Sequence, residues 1–87
     1  MNIFVANLDY KIQKEDLIQL FEKYGEVYTA RIISDKNTGR SKGYGFVEMR
    51  DERRALTAIE ELDGKEIAGR EIVVKMANSG NDNYDMS

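Results

Sequence analysis

The 87-residue chain contains no cysteine and no histidine. Without thiols there is no disulfide staple and no thiolate chemistry, and without imidazoles the usual zinc ligands are missing, so folding rests on hydrophobic packing alone. Redox and zinc functions drop out, and no metal or cofactor is implied. Long apolar runs are also absent, and nothing approaches the roughly 20 residues of a membrane-spanning helix. The chain passes from Met-Asn directly into Ile3-Phe4-Val5 with no charged n-region or cleavage site, which makes the cytoplasm the default address. What is present, 41% hydrophobic and 33% charged side chains, describes one compact soluble domain with a single core. A monomer with no membrane partner is expected.

The net charge is −3 and the sequence pI about 4.9, an acidic balance that runs against a polyanion ligand. The charges are unevenly distributed, however. Residues 27–47 carry Arg31, Lys36, Arg40 and Lys42 against Asp35 alone, whereas residues 48–66 are predominantly acidic. Basic charge is therefore localised.

Hydrophobic periodicity divides the chain into six elements. Ile3 to Leu8 is a short apolar run that reads as a buried strand. From Lys14 to Tyr24 the positions Leu17, Ile18, Leu20, Phe21 and Tyr24 recur at helical spacing, and Gly25 stands where a C-terminal cap belongs. Val27 to Ser34 reads as a second strand, Asp35 to Ser41 as a polar loop of the length that joins antiparallel strands, and Gly43 to Met49 as a third strand. Asp51 is an N-cap for a helix with the stripe Ala55, Leu56, Ala58, Ile59 and Leu62, closed by Asp63-Gly64. A turn or small hairpin at Ile67-Ala68-Gly69 leads into a last strand, Glu71 to Met76. Residues 1–77 are thus one domain, and the polar, acidic residues 78–87 read as a disordered tail.

The element order βαββαβ predicts an α+β, ferredoxin-like sandwich. Two right-handed crossovers around an antiparallel pair bring both helices to one face of a four-stranded antiparallel sheet of order 4-1-3-2 and leave the other face open. Strand side chains alternate, so the more aliphatic parity should face the helices. That assigns Ile3, Val5, Ala30, Ile32, Val47, Met49, Ile72 and Val74 to the core, with Gly43 and Gly45 allowing close helix approach. The opposite parity contains Phe4, Ala6, Arg31, Ile33, Tyr44, Phe46, Glu48, Val73 and Lys75, with the aromatics on the two central strands. Solvated aromatics flanked by cations suit unpaired bases, because rings stack on base faces and Arg or Lys neutralises the backbone. Aromatic clusters also anchor protein interfaces, so a protein-binding module using the same face is the alternative.

Lys42-Gly43-Tyr44-Gly45-Phe46-Val47-Glu48-Met49 follows the ribonucleoprotein octamer, basic-Gly-aromatic-Gly-Phe-Val-any-aromatic, at every position but the last. Ile3-Phe4-Val5-Ala6-Asn7-Leu8 matches the companion hexamer. With both motifs on the right strands, residues 2–77 resemble the RNA recognition motif. The resemblance implies a domain that binds single-stranded RNA, with single-stranded DNA as a second candidate ligand. It implies Phe4 and Phe46 as the base-stacking pair, Tyr44 as the ring that packs on sugars and Lys42 as a phosphate contact. Met49, where the pattern has an aromatic, points to the helices and should repack the core. Glu48 departs in charge: on the open face it repels phosphate or accepts a hydrogen bond from a base amino group. Arg31, Arg40 and Lys75 border the face, and Asn78 would extend the site if the tail folds over it. An enzyme is not expected. A small ferredoxin-like enzyme such as an acylphosphatase shares the element order but needs an anion-cradling loop, and Asp9-Tyr10-Lys11 lacks the glycines for one.

Overall fold

The computed structural model describes residues 1–77; the expected tail, with Asn78, lies outside them. Its elements are β1 (Asn2–Ala6), α1 (Lys14–Glu22), β2 (Val27–Ser34), β3 (Ser41–Met49), α2 (Glu52–Leu62), β4 (Glu66–Ile67), β5 (Arg70–Glu71) and β6 (Val73–Ala77). The four long strands form one antiparallel sheet in the order β2-β3-β1-β6, which is the predicted 4-1-3-2 read from the other edge. The short β4 and β5 pair as a separate hairpin.

Each helix starts on a sequence-encoded cap. Asp16 accepts a hydrogen bond from the Gln13 backbone N–H at 2.8 Å, and Asp51 accepts one from the Arg54 backbone N–H at 3.2 Å, so orphan donors at both N-termini are satisfied. Leu17 and Phe21 from α1, and Ala55, Ala58 and Leu62 from α2, are buried against Ile3, Val5, Ala30, Val47, Met49, Ile72 and Val74. Burial follows the predicted parity except toward the end of β2, where Ile32 and Ile33 are both only half-buried at the sheet edge, and Met49 does fill core space.

Several local expectations change. The first strand ends at Ala6 because Asn7 adopts φ 59°, turning the chain out of the sheet; Leu8 is nevertheless buried and its N–H donates to the Gly43 carbonyl at 2.9 Å. The first helix stops at Glu22. Gly25 is no left-handed cap: its missing side chain leaves room for Arg54, whose Cδ would lie 2.7 Å from a Cβ there. Gly43 and Gly45 do not accommodate helices. Gly43 takes φ 87°, and a Cβ on Gly45 would run into the Arg31 carbonyl and lie 3.1 Å from Ile32 Cα, so the close approach is between β3 and β2. Leu56 lies off the buried stripe, 46% exposed. The last strand is broken at Ile72, whose side chain drops into the core between β5 and β6.

The two sheet edges differ. The β6 edge is covered by the exit of α2, where the Asp63 carboxylate accepts from the Val74 N–H at 2.9 Å and the Gly64 N–H donates to the Ile72 carbonyl at 2.8 Å. The β2 edge is instead distorted by register shifts between Val27 and Thr29 and between Ile32 and Ser34, irregularities of the kind that discourage edge pairing.

Candidate nucleic-acid interface

Strand register turns the open face into a grid. Phe4 stands opposite Phe46 on one side and Lys75 on the other, and Phe46 stands opposite Arg31, giving the row Lys75, Phe4, Phe46, Arg31. The next row holds Val73, Ala6 and Tyr44; the row on the other side holds Ala77, Asn2, Glu48 and Thr29. Three aromatic rings therefore meet at the centre. Phe4 lies 5.7 Å from Tyr44 and 5.6 Å from Phe46 in tilted arrangements, and Tyr44 meets Phe46 edge-on at 6.4 Å between centroids. These separations fall within the range of favourable aromatic pairs. Each ring is half-buried by its neighbours and keeps one side open.

The cations are held in three ways. The Arg31 guanidinium lies over the Phe46 ring, 5.2 Å from its centroid, a cation–π contact that keeps the charge at the edge of the platform. Lys75 curls over the β6 edge, and its Nζ lies 3.4 Å from Asp63 Oδ2, so part of its charge is spent on that carboxylate. Arg40 and Lys42 are exposed, beside Asp35 at the end of the sheet where β2 turns into β3.

That turn is organised by one carboxylate. Asp35 accepts from the Asn37 and Thr38 backbone N–H groups at 2.7 and 3.1 Å, while its own N–H donates to the Arg40 carbonyl at 2.7 Å. The amide hydrogen bonds, first from Asn37 and then from Thr38, hold the Asp35 carboxyl below its usual pKa against the opposing effect of desolvation, and the Lys42 charge adds to the lowering. A loop closed in this way presents Arg40 from a defined backbone rather than a floppy one.

Eight of the nine expected site residues lie among the described residues, and seven of them fall on the open face or its β2–β3 end: Phe4, Tyr44, Phe46, Glu48, Arg31, Lys42 and Arg40. Lys75 is placed on that face by register but turned toward its edge. Asn2 and Thr29, which flank Glu48, were missed, although Asn2 shares the parity of Phe4 and Thr29 that of Arg31, so alternation alone could have found them. No sequence signal marks Tyr28, 57% exposed with the Arg50 guanidinium 3.9 Å from its ring centroid. Simple alternation would bury it with Ala30, and the irregularity after Val27 turns it out.

Comparison with known proteins follows this geometry. Residues 3–73 match the family model of the RNA recognition motif. The chain is 45% identical over 76 residues to Glycine-rich RNA-binding protein 8 of Arabidopsis thaliana, an alignment covering 87% of this chain and 45% of that protein. The crystal structure of RNA Binding Protein PG1 superposes with a TM-score of 0.87 at 55% identity, covering 88% of this chain and 93% of that one. A structure of the Rna15 RRM with bound RNA (GU) superposes with a TM-score of 0.81 at 27% identity, covering 98% and 92%. This chain spans about half or less of the length of several curated relatives it matches, and those include chloroplastic and mitochondrial proteins.

Proposed function

The chain belongs to the RNA recognition motif family, and on that premise we propose that it is a binding module, not an enzyme, that holds a short single-stranded RNA segment on the open face of its sheet. One observation carries this reading: Phe4, Tyr44 and Phe46 meet within 6.4 Å on the face away from the helices, with Arg31 stacked beside them. Bases stack on Phe4 and Phe46, Tyr44 packs on a sugar, and Lys42 and Arg40 meet phosphates where the strand leaves the sheet. Arg31 exchanges part of its contact with Phe46 for the RNA. Lys75 supplies weaker attraction because Asp63 already holds it, and Asn78, next after Ala77 in sequence, completes the proposed set of contacts.

Two or three stacked bases at about 1–3 kcal/mol each, less the ordering of a flexible strand, give roughly micromolar dissociation constants. Single-stranded DNA offers the same rings and should bind the same face. All four strands of the platform come from one chain, so a monomer suffices; the cytoplasm is the proposed address, in a family whose members occupy several compartments. Residues 1–77 are the functional unit and 78–87 a tail.

The test is titration of a labelled random pool of short single-stranded RNAs, read by anisotropy and by amide chemical-shift changes. Saturation with shifts concentrated on β1 and β3 is expected, and duplex RNA should compete poorly because its bases offer no free faces. Absence of saturation, or shifts confined to the helices, overturns the reading and turns the aromatic face over to a protein partner.

A further inference from the structure

Glu48 stands on a face that would carry a polyanion, and among the described residues no basic side chain forms an ion pair with it. Its cross-strand neighbours are the uncharged Asn2 on β1 and Thr29 on β2. Neither ion pair found among the described residues involves it, and Arg31, the nearest cation by register, lies over Phe46 instead. An ionised carboxylate only accepts hydrogen bonds. Facing phosphates it repels, and facing a base it can be matched only by donors.

The surroundings place a base edge there. Glu48, Asn2, Thr29, Arg31, Phe46 and Ala77 border a recess of about 320 Å³ on the open face. A base lying on the Phe46 ring extends toward the next row of the grid, where Glu48 is central. Bases in single strands are read on their Watson–Crick edges, which differ in donor order. Guanine offers two adjacent donors, N1–H and the N2 amino group, that align with the two oxygens of one carboxylate. Adenine and cytosine set an amino donor next to a ring-nitrogen acceptor, so the second carboxylate oxygen meets a lone pair. Uracil presents one N–H between two carbonyl oxygens. Two parallel charge-assisted bonds are the strongest of these arrangements.

We propose that Glu48 makes the Phe46 position of the platform a guanine-selective subsite. The inference rests on the RNA-binding reading above and deepens it. Glu48 is the specificity-determining residue, Phe46 supplies the stacking surface common to all bases, and the uncharged Asn2 and Thr29 leave the carboxylate free to accept.

The full chain is titrated with short labelled RNAs of alternating UG, UA and UC, with oligo-U, and with an alternating UI strand whose inosine lacks the 2-amino group; repeats remove the need to know the register. UG should bind tightest, on the order of tenfold or more above oligo-U, within the range of one good bidentate base contact. Inosine should fall between them. Glu48→Gln, which carries one donor and one acceptor, should remove the preference for guanine over inosine and bring UA and UC level with UG, with the circular dichroism spectrum unchanged. Phe46→Ala should weaken all the strands alike. If the wild type binds every repeat equally while Phe46→Ala still weakens them, the platform stands and the guanine subsite is overturned. A guanine preference that survives Glu48→Gln overturns it too, since another group then reads the base. If no repeat binds at all, the RNA-binding reading fails and the subsite falls with it.

Discussion

Replacing Phe46 by alanine separates a binding surface from a core more cleanly than any other single change. In the folded protein Phe46 touches Phe4 at 5.6 Å, Tyr44 at 6.4 Å and the Arg31 guanidinium at 5.2 Å, and its remaining side faces solvent. The two lost aromatic pairs are worth about 0.5–1.5 kcal/mol each and the lost cation–π contact about 0.5–1 kcal/mol. No enclosed cavity forms, because water reaches the vacated space. A stability loss of about 1.5–4 kcal/mol is therefore expected, toward the lower end because the ring is half open to water, against about 3–5 kcal/mol for Phe21→Ala; Phe21, on the inner side of α1, is wholly buried. RNA binding should fall by the worth of one stacked base, about 1–3 kcal/mol, or roughly five- to 150-fold in dissociation constant. Urea unfolding measures the first quantity and anisotropy titration the second, on the same preparations. The reasoning is refuted if Phe46→Ala destabilises as much as Phe21→Ala, which would make the ring part of the core. It is equally refuted if the variant stays folded and binds RNA undiminished.

Arg40→Ala should weaken binding similarly for all RNA sequences and lower the slope of log affinity against log salt by about 0.7, the value for one single-strand phosphate contact; a titration series over salt concentration checks this. Gly45→Ala should cost roughly 2 kcal/mol or more in urea unfolding, because the new Cβ meets the Arg31 carbonyl, part of the backbone that cannot move without shifting β2. Asp63 has its carboxyl pKa lowered, chiefly by the Val74 N–H and further by Lys75. Its folded pKa therefore lies below its unfolded value, so the stability it contributes is present above the unfolded value, near 3.8, and is lost as pH falls through the folded one. Asp63→Asn should flatten that acid limb of the stability-against-pH curve, measured by chemical unfolding from neutral pH downward.

The parts of the fold legible from sequence are those set by period. Alternation in β1 and β3 assigns Phe4, Tyr44 and Phe46 to one face and Val5, Val47 and Met49 to the other, because a one-residue slip would put the aliphatics in water. What the period does not encode is irregularity and tertiary reach. Tyr28 escapes the alternation of β2 because the register shifts between Val27 and Thr29. Lys75 sits on the correct parity, yet its charge goes partly to Asp63, twelve residues earlier in the chain, a partner visible only once the exit of α2 is packed along the β6 edge. Gly25 reads in sequence as a helix cap and Gly45 as room for a helix, yet the first makes room for Arg54 and the second for the β2 backbone.

The acidic balance of the whole chain is the feature that most opposes an RNA ligand, and the fold resolves it by position. Glu15, Asp16, Glu22, Glu60 and Glu61 sit on the two helices, on the far side of the sheet from the open face. Exposed charges are largely screened beyond about 8 Å at physiological ionic strength, so a strand on the open face responds mainly to Arg31, Lys42 and Arg40 and to the acids Glu48 and Asp35. Of the two acids, Asp35 is engaged by its own loop amides and by Lys42, and Glu48 is the one proposed above to meet a base edge instead of a phosphate. The domain can thus be acidic overall and remain a receptor for a polyanion, with base contacts supplying much of the affinity that a more basic surface would draw from counterion release.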